Sequence, residues 1–152
     1  MALQISWEIE GVTELSRTLI GTGTALKDYK LPFEQSASFL KSTFMRDVFD
    51  TQGAAIGEKW KRLSPYTVSQ KARRGLPADP LIGTGRMRNS FQTIVSSEQA
   101  VVYNSAEYFK YHQSRAPRAH LPRRVMMKIA ENQREQIVKY FQEYIRGAMR
   151  NQ

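Results

Sequence analysis

The sequence predicts a single α+β domain over residues 1–152, with a small antiparallel β-sheet flanked by a long helix in the N-terminal half and a second helix at the C-terminus. Three observations predict it. An apolar stripe at helical spacing runs through residues 33–48, a second runs through 129–148, and two β-rich runs between 91 and 103 surround a short polar turn. A chain of 152 residues that is 41% hydrophobic and 24% charged is an ordinary globular sequence, long enough to bury a core without crosslinks.

Leu3, Ile5, Trp7 and Ile9 alternate with Gln4, Ser6, Glu8 and Glu10, the period of a half-buried strand, and Gly11 ends it. Val12, Leu15 and Leu19 then fall at helical spacing, and Gly21 and Gly23 break the run. The long helix is expected to start after Pro32. Phe33, Ala37, Leu40, Phe44 and Val48 form its apolar stripe, with Gln35, Ser42, Arg46 and Asp50 opposite and Gly53 as its stop. Phe39 and Phe49 fall off the stripe, toward a neighbouring loop or another subunit. Trp60 and Leu63 are expected to anchor a loop under this helix.

Ser64-Pro65 is a helix start, because serine caps free N–H groups and proline at the first position loses no hydrogen bond. That helix is expected to reach Arg74 and stop at Gly75. Lys71, Arg73 and Arg74 then fall at the negative end of its dipole, so part of this charge run has a local cause. Pro77 and Pro80 make residues 76–80 a loop. Thr84 is expected to cap a short helix over 85–89. Phe91–Ser96 and Ala100–Tyr103 read as a β-hairpin, and Asn104 or Ser105 as the cap of a short helix from Ala106 to His112. Residues 114–124 form a basic loop, and the last helix is expected to begin near Val125 or Ile129 and to run to Ala148 on Ile129, Ile137, Tyr140, Phe141 and Tyr144.

The net charge is +9, and its distribution is uneven. Residues 58–91 hold 8 Lys/Arg against 2 Asp/Glu, and residues 110–152 hold 10 against 3. The segments 1–57 and 92–109 are each net negative. Nucleic acid, an acidic partner surface or simple solubility could each account for two such basic blocks. No apolar run approaches the ~18–20 residues that span a bilayer, so no membrane partner is expected. The alternating, acidic N-terminus does not read as a signal peptide. The chain has no Cys, hence no disulfide and no thiolate metal site.

Catalysis needs converging ionisable groups, and the sequence offers few. There are two histidines, His112 and His120, and the carboxylates after residue 57 are scattered. Glu131 and Glu135 have the i,i+4 spacing of a solvated helix face, and His112 reads as a polar residue at a helix end. Gly83-Thr84-Gly85 lacks the Lys-Ser/Thr that completes a phosphate loop, although Arg86 and Arg88 beside it could reach an anion.

One resemblance binds these features together. Gln52-Gly53, Gly57, Trp60, Leu63-Ser64, Thr67 and Lys71 are followed by Pro80-Leu81, Thr84-Gly85-Arg86-Met87-Arg88 and Ser90-Phe91, then by Tyr108, His112-Gln113 and Pro122-Arg123. In order and spacing this run, over about residues 40–130, resembles the phage virion morphogenesis family, the tail-completion proteins of Mu-like and related tailed phages. The chain departs from the family pattern at Ser114-Arg115, where a glycine is usual, and at Pro122-Arg123-Arg124-Val125-Met126, where Pro-x-Arg-x-Phe is usual.

The resemblance implies a non-enzymatic structural protein of the virion neck or tail end, assembled in the host cytoplasm, with a tail-terminator-like fold. It implies no cofactor and no metal. The implied partners are copies of itself in a ring, expected to be a hexamer, together with tail tube or sheath proteins, head connector or neck proteins, and non-specific contact with genomic DNA in the lumen. Lys59, Lys61, Arg62, Arg73 and Arg74, with Arg86 and Arg88, are then candidates for a basic lumen or docking surface. Arg115, Arg118, Arg123 and Arg124 are candidates on the second basic block. A free-standing DNA-binding protein is the alternative, and a small nuclease using His112 is a third reading.

Overall fold

The computed structural model describes residues 4–7, 28–114 and 120–150. The protein is a small α+β fold. Strand β1 (Gln4–Trp7) is followed by helix α1 (Lys30–Ser42), helix α2 (Pro65–Arg73), strands β2 (Phe91–Val95) and β3 (Ala100–Asn104), helix α3 (Phe109–Gln113) and helix α4 (Glu131–Arg150). The three strands form one sheet in the order β1-β3-β2. The expected strand at residues 3–9 and the expected hairpin are both present. The short helix at 12–19 and its glycine break lie outside the described residues.

The chain falls into two compact units. One is built from Ser6–Leu40, Thr93–Val102 and Ile129–Gln152. Here α1 starts at Lys30, three residues earlier than expected: the Asp28 carboxylate accepts from the Lys30 N–H at 2.8 Å. Pro32 then sits inside the first turn, where a missing N–H forfeits no intrahelical bond. Tyr29 stacks on Phe141 with ring centroids 6.2 Å apart, and Phe33 meets the same ring edge-on at 4.9 Å. Phe39, off the stripe, leans against Tyr140 at 6.1 Å. In α4 the Gln133 side chain reaches back to accept from the Ala130 N–H at 3.1 Å, which closes the first turn. Gln133, Ile137, Phe141 and Ile145 are its buried face.

The other unit is built from Met1–Ile5, Lys41–Gln92 and Tyr103–Lys128. α1 continues into it through a π-helical stretch, Thr43–Asp47, and a last α-helical turn, Val48–Asp50. A π-turn holds more residues than an α-turn and shifts the phase of the residues beyond it. Both Val48 and Phe49 are therefore buried, although a strict 3.6-residue period puts Phe49 on the polar side. Phe44, Phe91 and Phe109 form an aromatic row with centroid spacings of 5.9 and 5.8 Å.

The helix ends one residue before the expected stop. Gln52 takes the left-handed conformation (φ +50°), the Gln52 N–H donates to the Phe49 carbonyl, and the Gly53 N–H donates to the Val48 carbonyl at 2.7 Å. This double closure satisfies carbonyls that a helix end otherwise leaves open. Gly53 is also left-handed (φ +85°), and a Cβ there would lie 2.0 Å from the Glu58 carbonyl oxygen and 2.7 Å from the Trp60 ring. Trp60 is buried, meets Phe49 edge-on at 5.3 Å and donates its indole N–H to the Val125 carbonyl at 2.7 Å. It is the anchor that its sequence position suggested.

α2 matches its expected caps. The Ser64 hydroxyl accepts from the Thr67 N–H at 3.2 Å, Pro65 is the first helical residue, and Gly75 (φ +65°) carries the chain out. None of its nine residues is buried. The expected helix start at Val125 is overturned, because residues 121–130 have no regular structure. The Gln113 side chain takes their backbone groups instead. Its oxygen accepts from the N–H groups of Met126 (2.8 Å) and Met127 (3.1 Å), and its nitrogen donates to the Met127 carbonyl at 2.7 Å.

Gly53→Ala is expected to lower the unfolding free energy by more than about 2 kcal/mol, because left-handed strain and a blocked Cβ act together. Gly57→Ala, at φ +71° in open space, carries the strain alone and is expected to cost about 1 kcal/mol. Urea unfolding of both variants checks this, and equal losses would show that the crowding at Gly53 is immaterial.

Candidate functional site

Every residue of the site belongs to the second unit. That unit carries 16 of the 23 Lys/Arg and 5 of the 14 Asp/Glu. α2 supplies one wall through Ser64, Thr67 and Lys71. The loop after it is tied down by Lys71, whose ammonium donates to the carbonyls of Asp79 and Ile82 at 2.6 Å each. Burial pulls the Lys71 pKa below the ordinary lysine range, Asp79 raises it in opposition, and Arg124 lowers it further.

The turn Gly83-Thr84-Gly85 supplies the next wall. The Thr84 hydroxyl accepts from the Arg86 N–H at 3.4 Å, and the Gly85 carbonyl accepts from the Asn89 N–H at 3.0 Å. The regular helical turn is Arg88–Ser90, shorter and later than the expected 85–89. Asn104 ties this turn to the segment before α3, which starts at Phe109 and not at the expected Ala106. Its amide donates to the Met87 carbonyl at 2.7 Å, and its oxygen accepts from the Ala106 N–H at 2.9 Å. α3 contributes His112 and the preceding Tyr108, and residues 120–124 complete the site.

These segments enclose a cleft of about 580 Å³. Among the described residues its walls carry Lys61, Arg62, Lys71, Arg86 and Arg124, with His112 and His120, and no carboxylate. Leu63, Leu81, Met87, Leu121 and Pro122 form the apolar part. A pocket with apolar walls and a few convergent polar groups is the usual form of a binding site, and here every charged group on the walls is cationic.

The structure sorts the candidate cations into two kinds. Lys59, Lys61, Arg62, Arg73, Arg74, Arg86 and Arg123 are exposed. Arg86 lies 6.0 Å from the centre of the Tyr108 ring, and Arg123 donates to the Gln113 carbonyl at 3.1 Å. Arg88 is half-buried and structural, donating to the Met45 carbonyl at 2.7 Å and pairing with Asp50 at 3.0 Å. Arg124 is 4% exposed, and its guanidinium donates twice to the Lys61 carbonyl, at 3.0 and 2.8 Å. Burial lowers its pKa. Its expected place on an open docking surface is corrected accordingly: it holds the cleft's backbone and shows only an edge to the cavity. Arg115 and Arg118 lie outside the described residues.

Of the sequence candidates, Lys61, Arg62, Arg86 and Arg124 converge on the cleft, whereas Lys59, Arg73, Arg74, Arg88 and Arg123 do not line it. Lys71 and Tyr108, which line the cleft, carried the sequence resemblance but were not among the candidates for the basic surface. Lys71 looked like a helix-dipole cation, and nothing in its spacing reports the two loop carbonyls it bridges. Among the described residues no group of three His, Asp or Glu is placed to hold a metal ion, and no helix is long and apolar enough to cross a membrane. Glu131 and Glu135 are both exposed.

The phage virion morphogenesis family matches residues 10–146. No curated protein and no solved structure matches the chain.

Arg124→Ala is expected to lower the unfolding free energy by about 2–3 kcal/mol, because a buried side chain and its two charge-assisted bonds to the Lys61 carbonyl are lost. Arg62→Ala, with its side chain in solvent, is expected to change it by less than about 0.5 kcal/mol. Parallel urea titrations check the pair, and comparable effects would contradict the sorting of the two arginines.

Proposed function

Because the chain belongs to the phage virion morphogenesis family, we propose that it is a structural protein that completes or terminates the phage tail and joins it to the head. In this reading it acts as a subunit of a homo-oligomeric ring in the neck, non-enzymatic and without a cofactor. The family match over residues 10–146 carries the reading. A virion morphogenesis protein works against other virion components, and the exposed cations of the second unit give it a surface for doing so. Closed rings use head-to-tail interfaces, in which each subunit offers two different patches. A ring subunit with cations toward a lumen would touch passing DNA through its phosphates alone, without base readout.

Charge reversal of Lys61, Arg62 and Arg86 together, in a phage that depends on this gene, is expected to leave protein solubility intact and to leave heads and tails unjoined. Electron microscopy of the lysate and the titre of infectious particles read the outcome. Normal particle yield would remove these cations from the assembly function. Tight DNA binding by the purified protein, weakening steeply with salt, would instead favour a free-standing DNA-binding protein.

A further inference from the structure

We propose that the basic cleft receives an acidic peptide segment bearing an aliphatic side chain, presented by a neighbouring protein of the virion. The inference rests on reading this chain as a virion component and names the chemistry of one partner. Charge complementarity is the first argument. Lys71 and Arg124 are held by the protein's own carbonyls. Among the described residues, Lys61, Arg62 and Arg86 have no carboxylate partner, and none lines the cleft. Like charges gathered around one cavity repel, and a bound anion relieves them.

Size and lining decide which anion fits. A volume of 580 Å³, that of a sphere about 10 Å across, is within the range of small-ligand pockets. A DNA duplex, wider than its own ~12 Å major groove, cannot enter. A single nucleic-acid strand binds by stacking successive bases on aromatic rings. Among the described residues the cleft's one Phe, Tyr or Trp is Tyr108, and that ring already faces Arg86. The apolar part of the wall is aliphatic: Leu63, Leu81, Met87, Leu121 and Pro122. Carboxylates on the cations and an aliphatic side chain on the leucines fill both halves of the site.

The wall itself points the same way. α2 borders the cleft without burying any residue, and Tyr66 on it is 74% exposed. The Lys71 bridge to the Asp79 and Ile82 carbonyls ties this helix to the loop after it, and none of its residues lies in the core. A helix that the core does not need is available to a partner.

The test uses the full-length protein and three fluorescent probes in ~0.15 M salt: a short peptide of alternating glutamate and leucine, the glutamine-leucine peptide of the same length, and a thymidine oligonucleotide. The acidic peptide is expected to bind the wild type at least about tenfold more tightly than either other probe. Arg62→Glu/Arg86→Glu should lose that preference, and Arg62→Gln/Arg86→Gln should weaken it, with unchanged urea midpoints. Tighter binding of the oligonucleotide overturns the inference in favour of a phosphate strand. Equal binding of the acidic peptide by wild type and the double glutamate variant overturns it as well. If no peptide binds while the phage carrying charge reversal of Lys61, Arg62 and Arg86 leaves heads and tails unjoined, the inference fails and the assembly role stands.

Discussion

The backbone turn at Gly53 is the constraint on which the basic unit depends. A hydrogen is all that fits between this α-carbon, the Glu58 carbonyl and the Trp60 ring. That closeness lets the indole lie edge-on to Phe49 and reach the Val125 carbonyl. Val125 comes directly after Arg124, whose guanidinium grips the Lys61 carbonyl one residue beyond Trp60. Two segments more than sixty residues apart in sequence are thus sewn together by an indole N–H and a guanidinium. The cations of the cleft inherit their positions from that seam.

Within this frame the same residue type does opposite work. Arg88 and Arg124 are turned inward onto carbonyls, where a charged donor satisfies groups that a neutral side chain would satisfy less well. Lys128 pairs with Glu58 at 2.7 Å on the same unit. Arg62 and Arg86 are turned outward, and among the described residues no carboxylate pairs with either. The unit's excess charge is therefore not an even coating. Part of it stiffens loops, and part of it, Lys61, Arg62 and Arg86, gathers at one concavity.

The parts legible in the sequence were those set by local rules. The stripe Phe33–Val48 is read from its period, α2 from Ser64, Pro65 and Gly75, and the hairpin from its β-branched runs. The parts not legible depend on distant partners. Phe49 turned inward because a π-helical stretch changed the phase behind it. Val125–Lys128 looks like the first turn of a helix, but Gln113 captures its amides first. Arg124 and Arg123 are adjacent and identical in type, and only the placement of the Lys61 carbonyl makes one buried and the other exposed. The cleft was legible as a basic region. Its aliphatic wall, drawn from residues between 63 and 122, was not, because no single window of sequence contains it.

α2 has a consequence for how the protein varies and moves. A helix that buries none of its residues contributes little to the global unfolding free energy. Its own opening is governed by end tethers, the Ser64 cap, the turn at Gly75 and the Lys71 bridge. Such segments exchange their amide hydrogens through local fluctuations well below the energy of full unfolding. Substitutions on its outer face are therefore decoupled from core stability. One wall of the cleft can change its side chains at little cost to the fold, whereas the buried row of Phe44, Phe91 and Phe109 cannot.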